Sequence, residues 1–243
     1  MPDVLSAAEV DRVLVVVAHP DDADFGAAGT TATWTRSGVQ VTYLLCTYGD
    51  QGGFDDTPRD QVPAIREAEQ RAAAAAVGVT DVRFLSGYHD GSLEPTRELQ
   101  RDIVRVIRQV RPQRVLTQSP QRWWDRIGAS HPDHLAAGEA TIRALYPAAR
   151  NPFAYPELLT EEDLQPWTVQ EAWLMADERA DHAVDITDTF DAKLTALRAH
   201  TSQTGHLGDD LEQRLRTWGT TVAVKAGLHP GRLAEIFRVV ATG

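Results

Sequence analysis

Strand-like and helix-like segments alternate along this chain, and the alternation predicts an α/β fold with a mostly parallel sheet and helices on both faces. Two observations carry this. The run Val13-Leu14-Val15-Val16-Val17 has no polar alternation, as expected of a strand buried on both faces in a parallel sheet. Further apolar strand-length runs follow, each separated from the next by a stretch of helical pattern. Right-handed crossovers would stack such units into a Rossmann-like three-layer sandwich.

In chain order, Ser6 and Glu9 have the spacing of a capping box for a short N-terminal helix. After the first strand, Phe25 to Ser37 reads as a helix ending at Gly38. Val41 to Thr47 is a second strand. The Gly- and Asp-rich loop from Tyr48 to Gln61 is longer than most connections, which marks it as a candidate functional loop. Pro63 suits the first position of an alanine-rich helix that Gly78 closes. Val82 to Ser86 is a third strand, followed by the turn Tyr88-His89-Asp90-Gly91. Leu99, Ile103, Val104, Val106, Ile107 and Val110 form an apolar stripe on a helix from Thr96 to Arg111, stopped by Pro112. Arg114 to Ser119 is a fourth strand. The loop Pro120 to Ser130 leads into His131-Pro132-Asp133-His134, and Leu135 to Leu145 continues as helix. Tyr146 to Trp167 is Pro-rich and irregular, an excursion over the surface. Val169 to Ala176 and Ala183 to Thr187 are further strands, and Asp188 is placed to cap a helix running to His200. A helix from Asp209 to Lys225 and a strand from Leu233 to Val240 complete a single domain, residues 1–243, without internal repeats.

Composition narrows the function. With 42% hydrophobic and 24% charged residues, the chain reads as a soluble globular protein. A net charge of −11 excludes the clustered basic surface that nucleic acid or anionic membranes require. No apolar run approaches a membrane span, and Met1 to Asp11 lacks the pattern of a signal peptide. Cys46 is the single cysteine, so there is no internal disulfide, and a reducing cytoplasm is expected. Its place within the second strand makes it a core thiol.

The chemistry concentrates in two clusters, His19-Pro20-Asp21-Asp22 after the first strand and His131-Pro132-Asp133-His134 after the fourth. Ligands of open α/β sheets bind beyond the carboxyl ends of strands, and two such exits can converge on one point. Two imidazoles and a carboxylate with an open fourth position make a catalytic zinc set. Either cluster alone is also explained as a strand-end turn capping the next helix, with Asp133 favourable at a helix's positive end. Their repetition, each behind a strand, argues for a shared site.

Ala18-His19-Pro20-Asp21-Asp22, Arg66-Glu67-Ala68-Glu69 ahead of Val77-Gly78-Val79, His89-Asp90-Gly91 and His131-Pro132-Asp133-His134 together resemble the LmbE-like (PIG-L) de-N-acetylases. The segment from Asp185-Ile186-Thr187-Asp188 through Lys193 to His200-Thr201-Ser202-Gln203 extends the resemblance over nearly the whole chain. The resemblance implies a zinc-dependent hydrolase that removes an acetyl group from a small-molecule N-acetylglucosaminyl substrate. It implies His19, Asp22 and His134 as metal ligands for zinc(II), with iron(II) as an alternative. Asp21 becomes the general base, His131 the cation that steadies the tetrahedral oxyanion, and Arg66 and Asp90 contacts to the sugar. It leaves open which of Asp21 and His131 protonates the departing amine, which aglycone the substrate carries, and whether the protein is a homo-oligomer.

Some positions keep two readings. Arg66 can instead pair with Glu69 on a helix surface, and Asp50 can be a solvated loop charge. His200 and Gln203 can support the metal site or simply belong to the core. Relatives with a tyrosine in the loop before the second histidine motif differ from this chain, which has Trp123 and Trp124 there and no tyrosine. Those tryptophans fit an apolar wall for the substrate, a loop base or an oligomer contact. The loops Tyr48–Gln61 and Gln121–Ser130 are expected to frame the pocket. Competing functions are hydrolysis of a different amide, a silent metal or sugar binder, and a nucleotide-binding protein; the acidic turn after the first strand, in place of G-x-G-x-x-G, opposes the last.

Overall fold

The computed structural model describes residues 4–53 and 56–243. Residues 1–3, part of the stretch read for a signal peptide, and residues 54 and 55, part of the loop 48–61, lie outside the described residues. The first strand, β1 (Arg12–Val17), is paired on both edges, in parallel with β2 (Gln40–Leu45) and with β4 (Arg114–Gln118). β3 (Asp81–Phe84) extends the sheet beyond β2, and β5 (Glu171–Met175) extends it beyond β4, both in parallel. β7 (Ala234–Ala241) then adds antiparallel to β5, and β6 (His182–Asp185) pairs antiparallel with β7. The order β3-β2-β1-β4-β5-β7-β6 is a mostly parallel α/β sheet, with the direction of chain progression reversing between β1 and β4.

The valine run is buried because both faces are covered. Val13, Val15 and Val17 pack with Ala27 of α1 (Asp22–Arg36), Ala73 of α2 (Val62–Ala76) and Ala196 of α6 (Phe190–Ala199). Leu14 and Val16 face the other way, onto Leu99 and Ile103 of α3 (Arg97–Val110) and Ala136 and Ala140 of α4 (Pro132–Arg143). Each such side chain contributes roughly 1.5–3 kcal/mol by leaving water. Cys46 is buried and free, as its strand position predicted.

Most boundaries agree with the pattern to within a few residues, and the differences have causes. α1 begins at Asp22 rather than Phe25, because Asp22 and Asp24 sit favourably at the positive end of the helix. Thr96 caps α3 by accepting from the Leu99 amide, and Arg111 ends it in the left-handed region. Ser6 and Glu9 do form their capping pair, over a 3-10 turn rather than an α-helix. The irregular excursion 146–167 holds one short helix, α5 (Pro156–Thr160), and is tied back by Trp167 Nε1 donating to Pro112 O at 2.7 Å. After α6 come the short α7 (Thr201–Thr204) and α8 (Asp210–Lys225). Among the described residues, no helix is long and apolar enough to cross a membrane.

One glycine fixes how α4 meets the sheet. A Cβ on Gly138 would lie 2.3 Å from Gln118 O and 3.0 Å from Pro120 N, both backbone atoms at the exit of β4. In an open helix, Gly→Ala stabilises by roughly 1 kcal/mol. Here the clash reverses the sign. Gly138→Ala is expected to destabilise the protein by about 1–3 kcal/mol, read as a lowered urea midpoint at unchanged slope.

Candidate active site

The reversal between β1 and β4 leaves a crevice beyond their carboxyl ends, where ligands of open α/β sheets bind. The two motifs meet there. Ala18 N donates to Gln118 Oε1 at 3.0 Å, joining the two exits directly. From β1, the chain turns through His19 and Pro20 and enters α1 at Asp22. From β4, the loop returns to His131, which caps α4 by accepting from the Asp133 amide at Nδ1, 3.2 Å. Pro132 occupies the first helical turn, where its missing N–H costs nothing.

Asp22 holds the halves together. Its Oδ1 lies 3.0 Å from His134 Nε2, while Oδ2 accepts from the His19 amide at 2.7 Å and lies 3.4 Å from His19 Nδ1. The expected ligands His19, Asp22 and His134 thus gather around one carboxylate. Beside them, donor atoms of His19, His131 and His134 lie within 4.8 Å of one another, as do those of His19, Asp90 and Asp133. On the far edge of the His19 ring, Nε2 is 3.0 Å from both Asp90 Oδ1 and Asp133 Oδ2. Asp133, 1% exposed, also accepts from Gly91 N at 2.7 Å and Leu93 N at 3.3 Å. Nothing in the sequence marked Asp133 as more than a helix-start acid; its position between His131 and His134 was the available signal.

The charges are strongly interdependent. Burial opposes a proton on His19, but hydrogen bonds to Asp133, Asp22 and Asp90 outweigh it and push the pKa up to about 12. Burial likewise opposes the charge on Asp22, and the His134 and His19 imidazoles overcome it, holding the carboxyl well below its ordinary range. His134 is raised, burial being outweighed by Asp22. His131 is lowered, by burial and by the two neighbouring imidazoles. Asp21 is pushed up to about 6, chiefly by burial, with Arg66 opposing.

Arg66 is 3% exposed, which excludes the surface pairing with Glu69; Glu69 accepts from Ser202 instead. The Arg66 guanidinium donates to Pro20 O at 2.6 Å, Gly49 O at 2.8 Å and Asp21 Oδ2 at 3.2 Å, and lies 4.0 Å from Asp90 Oδ2. It therefore braces Asp21 from behind. Asp21 itself has φ +86°, a left-handed conformation rare for residues other than Gly, Asn and Asp. Its amide donates to Gln70 Oε1 at 2.9 Å, and Gln70 Nε2 donates to Asp24 Oδ2 at 2.8 Å. His200 Nε2 is 2.8 Å from the same oxygen, both side chains being fully buried. His200 thus supports the turn that carries Asp21 through Asp24 and Gln70, while the Gln203 side chain donates to Ser202 Oγ at 3.0 Å. Asp24 and Gln70 carried no sequence signal, because helix-start acids and helix amides are common.

The two loops expected to frame the pocket rise from the same end of the sheet but on different flanks. The first holds Asp50, whose Oδ1 accepts from Asp90 N at 2.9 Å, and Gly49, which meets Arg66. The second borders a cavity of about 580 Å³ that opens beside Asp22 and His134. Among the described residues, none of the loop 48–61 lines that cavity, so the two loops border the crevice from different flanks. The tryptophan pair also divides: Trp123 lines the cavity, whereas Trp124 is 77% exposed.

A family model described as PIG-L, GlcNAc-PI de-N-acetylase, matches residues 14–145. Over 234 residues the chain is 34% identical to a diacetylchitobiose deacetylase of Thermococcus kodakarensis, covering 96% of this chain and 84% of that protein. It is 34% identical over 213 residues to a probable N-acetyl-alpha-D-glucosaminyl L-malate deacetylase 2 of Bacillus cereus, covering 84% and 89%. The solved N,N'-diacetylchitobiose deacetylase of Pyrococcus horikoshii, in complex with its inhibitor MPG, superposes with a TM-score of 0.85 at 30% identity, covering 96% of this chain and 85% of that one.

Removing one member of a buried charged pair strands the other. His200→Ala is expected to destabilise the fold by about 3–5 kcal/mol, because the Asp24 carboxylate loses its imidazole partner. Equilibrium urea unfolding measures this, and a loss below about 1 kcal/mol would show that the pair does not bear on stability.

Proposed function

Because the chain belongs to the PIG-L family, whose model spans more than half of it, we propose that it is a metal-dependent hydrolase of the N-acetyl amide of an N-acetylglucosaminyl substrate. The observation that carries this is the gathering of His19 and His134 around Asp22, with Asp21 free of that set one residue away. The donor chemistry fits a divalent cation. Two imidazoles and one carboxylate are a catalytic zinc set, and four carboxylates (Asp21, Asp22, Asp90 and Asp133) crowd the same crevice. A cation there would take over the counter-charge that a proton on His19 otherwise supplies. We assign it to His19, Asp22 and His134, with zinc(II) as the first choice and iron(II) compatible with the same donors.

When bound, the cation polarises the acetamide carbonyl and lowers the pKa of water toward about 7. Asp21, its turn locked by Arg66 and Gln70, takes the proton from the attacking water, and that proton is passed to the nitrogen that departs as the amine when the C–N bond breaks. The base is then pre-positioned rather than ordered during the reaction. His131 accepts the Asp133 amide proton at Nδ1, so in the neutral ring Nε2 carries the proton and faces the crevice as a donor. His131 steadies the developing oxyanion in this form, as a hydrogen-bond donor rather than the cation implied by resemblance. This donor also covers the function of the tyrosine that the preceding loop lacks.

Asp90 is the sugar contact we assign on the polar flank, where its Oδ1 faces His19 and its Oδ2 faces Arg66. Arg66 acts on the sugar only indirectly, by holding Asp21 and standing behind Asp90. The buried free thiol of Cys46 suits the reducing cytoplasm in which we place the protein.

Purified protein is expected to contain about one equivalent of transition metal, and chelation should abolish amine release from N-acetylglucosaminides until zinc(II) or iron(II) is restored. Metal-free and metal-loaded protein behaving alike would overturn the assignment. Asp21→Asn should keep the fold, since Asn tolerates the left-handed turn, and should keep the metal while losing about 10²–10⁴-fold in turnover. Elemental analysis and amine detection on the same sample check this, and a variant of undiminished activity would remove Asp21 from the mechanism.

A further inference from the structure

The crevice has two unlike sides. One carries Asp50, Asp90 and Arg66, all polar. The other is the cavity of about 580 Å³ that begins at Asp22 and His134. Its apolar lining comes from Phe25 in the first turn of α1, Met175 at the end of β5, Trp218 and Val222 of α8, and Ile236 of β7. Gly26 lets this wall close, since a Cβ there would lie 2.3 Å from Met175 Sδ.

At the mouth, the Arg126 guanidinium sits 5.7 Å from the Trp123 ring and 5.6 Å from the Trp218 ring. A flat group already lies between two indoles there. The charged side chains at the rim are of both signs, Lys225 and Arg126 against Asp125 and Glu178. Asp177, which also borders the cavity, is turned away into bonds with Ser119 Oγ at 2.7 Å and Arg179 N at 2.8 Å.

We propose that this cavity receives an apolar ring on the glycosidic side of the substrate, an aryl-type aglycone attached to the amino sugar. The inference rests on the deacetylase reading above. In that reading the acyl group is acetyl, whose methyl would fill a small corner of such a volume. The hydroxyls of the amino sugar have acceptors on the Asp50–Asp90 side. The room beyond Asp22 and His134 is therefore left to the substituent that the sugar carries. Five of its lining side chains are large and apolar, and its charged residues Asp125, Arg126, Glu178 and Lys225 are exposed at the rim, so a polyol or carboxylated aglycone reaching past the rim would lose water contacts without full replacement. A hydrocarbon ring loses none, and gains stacking on Trp218 and Trp123.

The test compares phenyl, methyl, malyl and glycosyl glycosides of N-acetylglucosamine, in both anomers where available, on the metal-loaded protein. Amine release gives kcat/KM and calorimetry gives Kd. The phenyl glycoside is expected to exceed the methyl glycoside by about tenfold or more in both, the difference lying mainly in KM. Trp218→Ala should shrink that ratio to within about threefold, and Trp123→Ala, in a surface loop outside the core, provides the same test if the first variant folds poorly. A phenyl-to-methyl ratio near one in the parent protein overturns the proposal. So does a preference for the malyl or glycosyl compound, or a gain that follows lengthening of the N-acyl group instead. Should no glycoside release amine, the deacetylase reading falls, while the calorimetric phenyl-to-methyl comparison still decides the ring preference.

Discussion

Parallel hydrogen bonding of β1 to β2 on one edge and β4 on the other holds two strand exits side by side, although Ala18 and Gln118 are 100 residues apart in the chain. The β1 exit enters α1 within a few residues, and the β4 exit reaches α4 through the loop 119–131, so Asp22, Asp133 and His134 all project from helical first turns. The layer packing serves the same end. Valines pointing to either face of β1 fix it between α1 and α2 on one side and α3 and α4 on the other. Gly138 allows α4 to lie directly on the exit of β4, which sets the position of its first turn to within the tolerance of a backbone contact. Groups that must meet within hydrogen-bond distance are thereby placed by the least deformable part of the molecule.

Electrostatics imposes the opposite tendency. Taking a carboxylate out of water costs several kcal/mol, and four gather in this crevice. Helix N-termini contribute roughly 0.3–1 kcal/mol each toward Asp22 and Asp133, too little to offset that cost. The imidazoles of His19 and His134 and the buried Arg66 supply the remaining counter-charge. The balance explains why the groups shift in opposite directions: Asp22, between two imidazoles, stays ionised, whereas at Asp21 burial and the neighbouring Asp22 charge outweigh Arg66, His200 and His19 and push it up to about 6. Neighbouring carboxylates with separated proton affinities are suited to different tasks, one to hold a cation and one to move a proton.

The support behind Asp21 is as specific as the site itself. A left-handed aspartate costs roughly 1–2 kcal/mol relative to ordinary backbone. Arg66, Gln70, Asp24 and His200 hold it there through four consecutive polar contacts, all from side chains with little or no exposure. Strain of this kind persists only where surrounding structure over-determines it, and one of the residues that carry it here is the one assigned as base. The polar side of the crevice and the apolar cavity then divide a substrate between them according to the water each part must give up.

The chain's own pattern determined the layers, the approximate elements and both histidine motifs, because burial on two faces and helix periodicity leave local traces in residue order. It also placed His19 and Asp22 at the exit of β1, whereas His134 comes from the first turn of α4, beyond the loop that follows β4. Tertiary structure alone decided three further matters. The insertion of β7 between β5 and β6 depends on long-range pairing that β-rich segments do not encode locally. The burial of Arg66 behind Asp21, in place of a surface ion pair, depends on the approach of the loop at Gly49 to the turn at Pro20. The parting of Trp123 from Trp124, and the joining of Trp123 with Trp218 across a cavity, require α8 to fold back beside the second loop. Contacts between residues so distant in sequence carry no periodic signature, so only the folded chain could show which polar groups lost water together and which apolar ones were left lining a cavity.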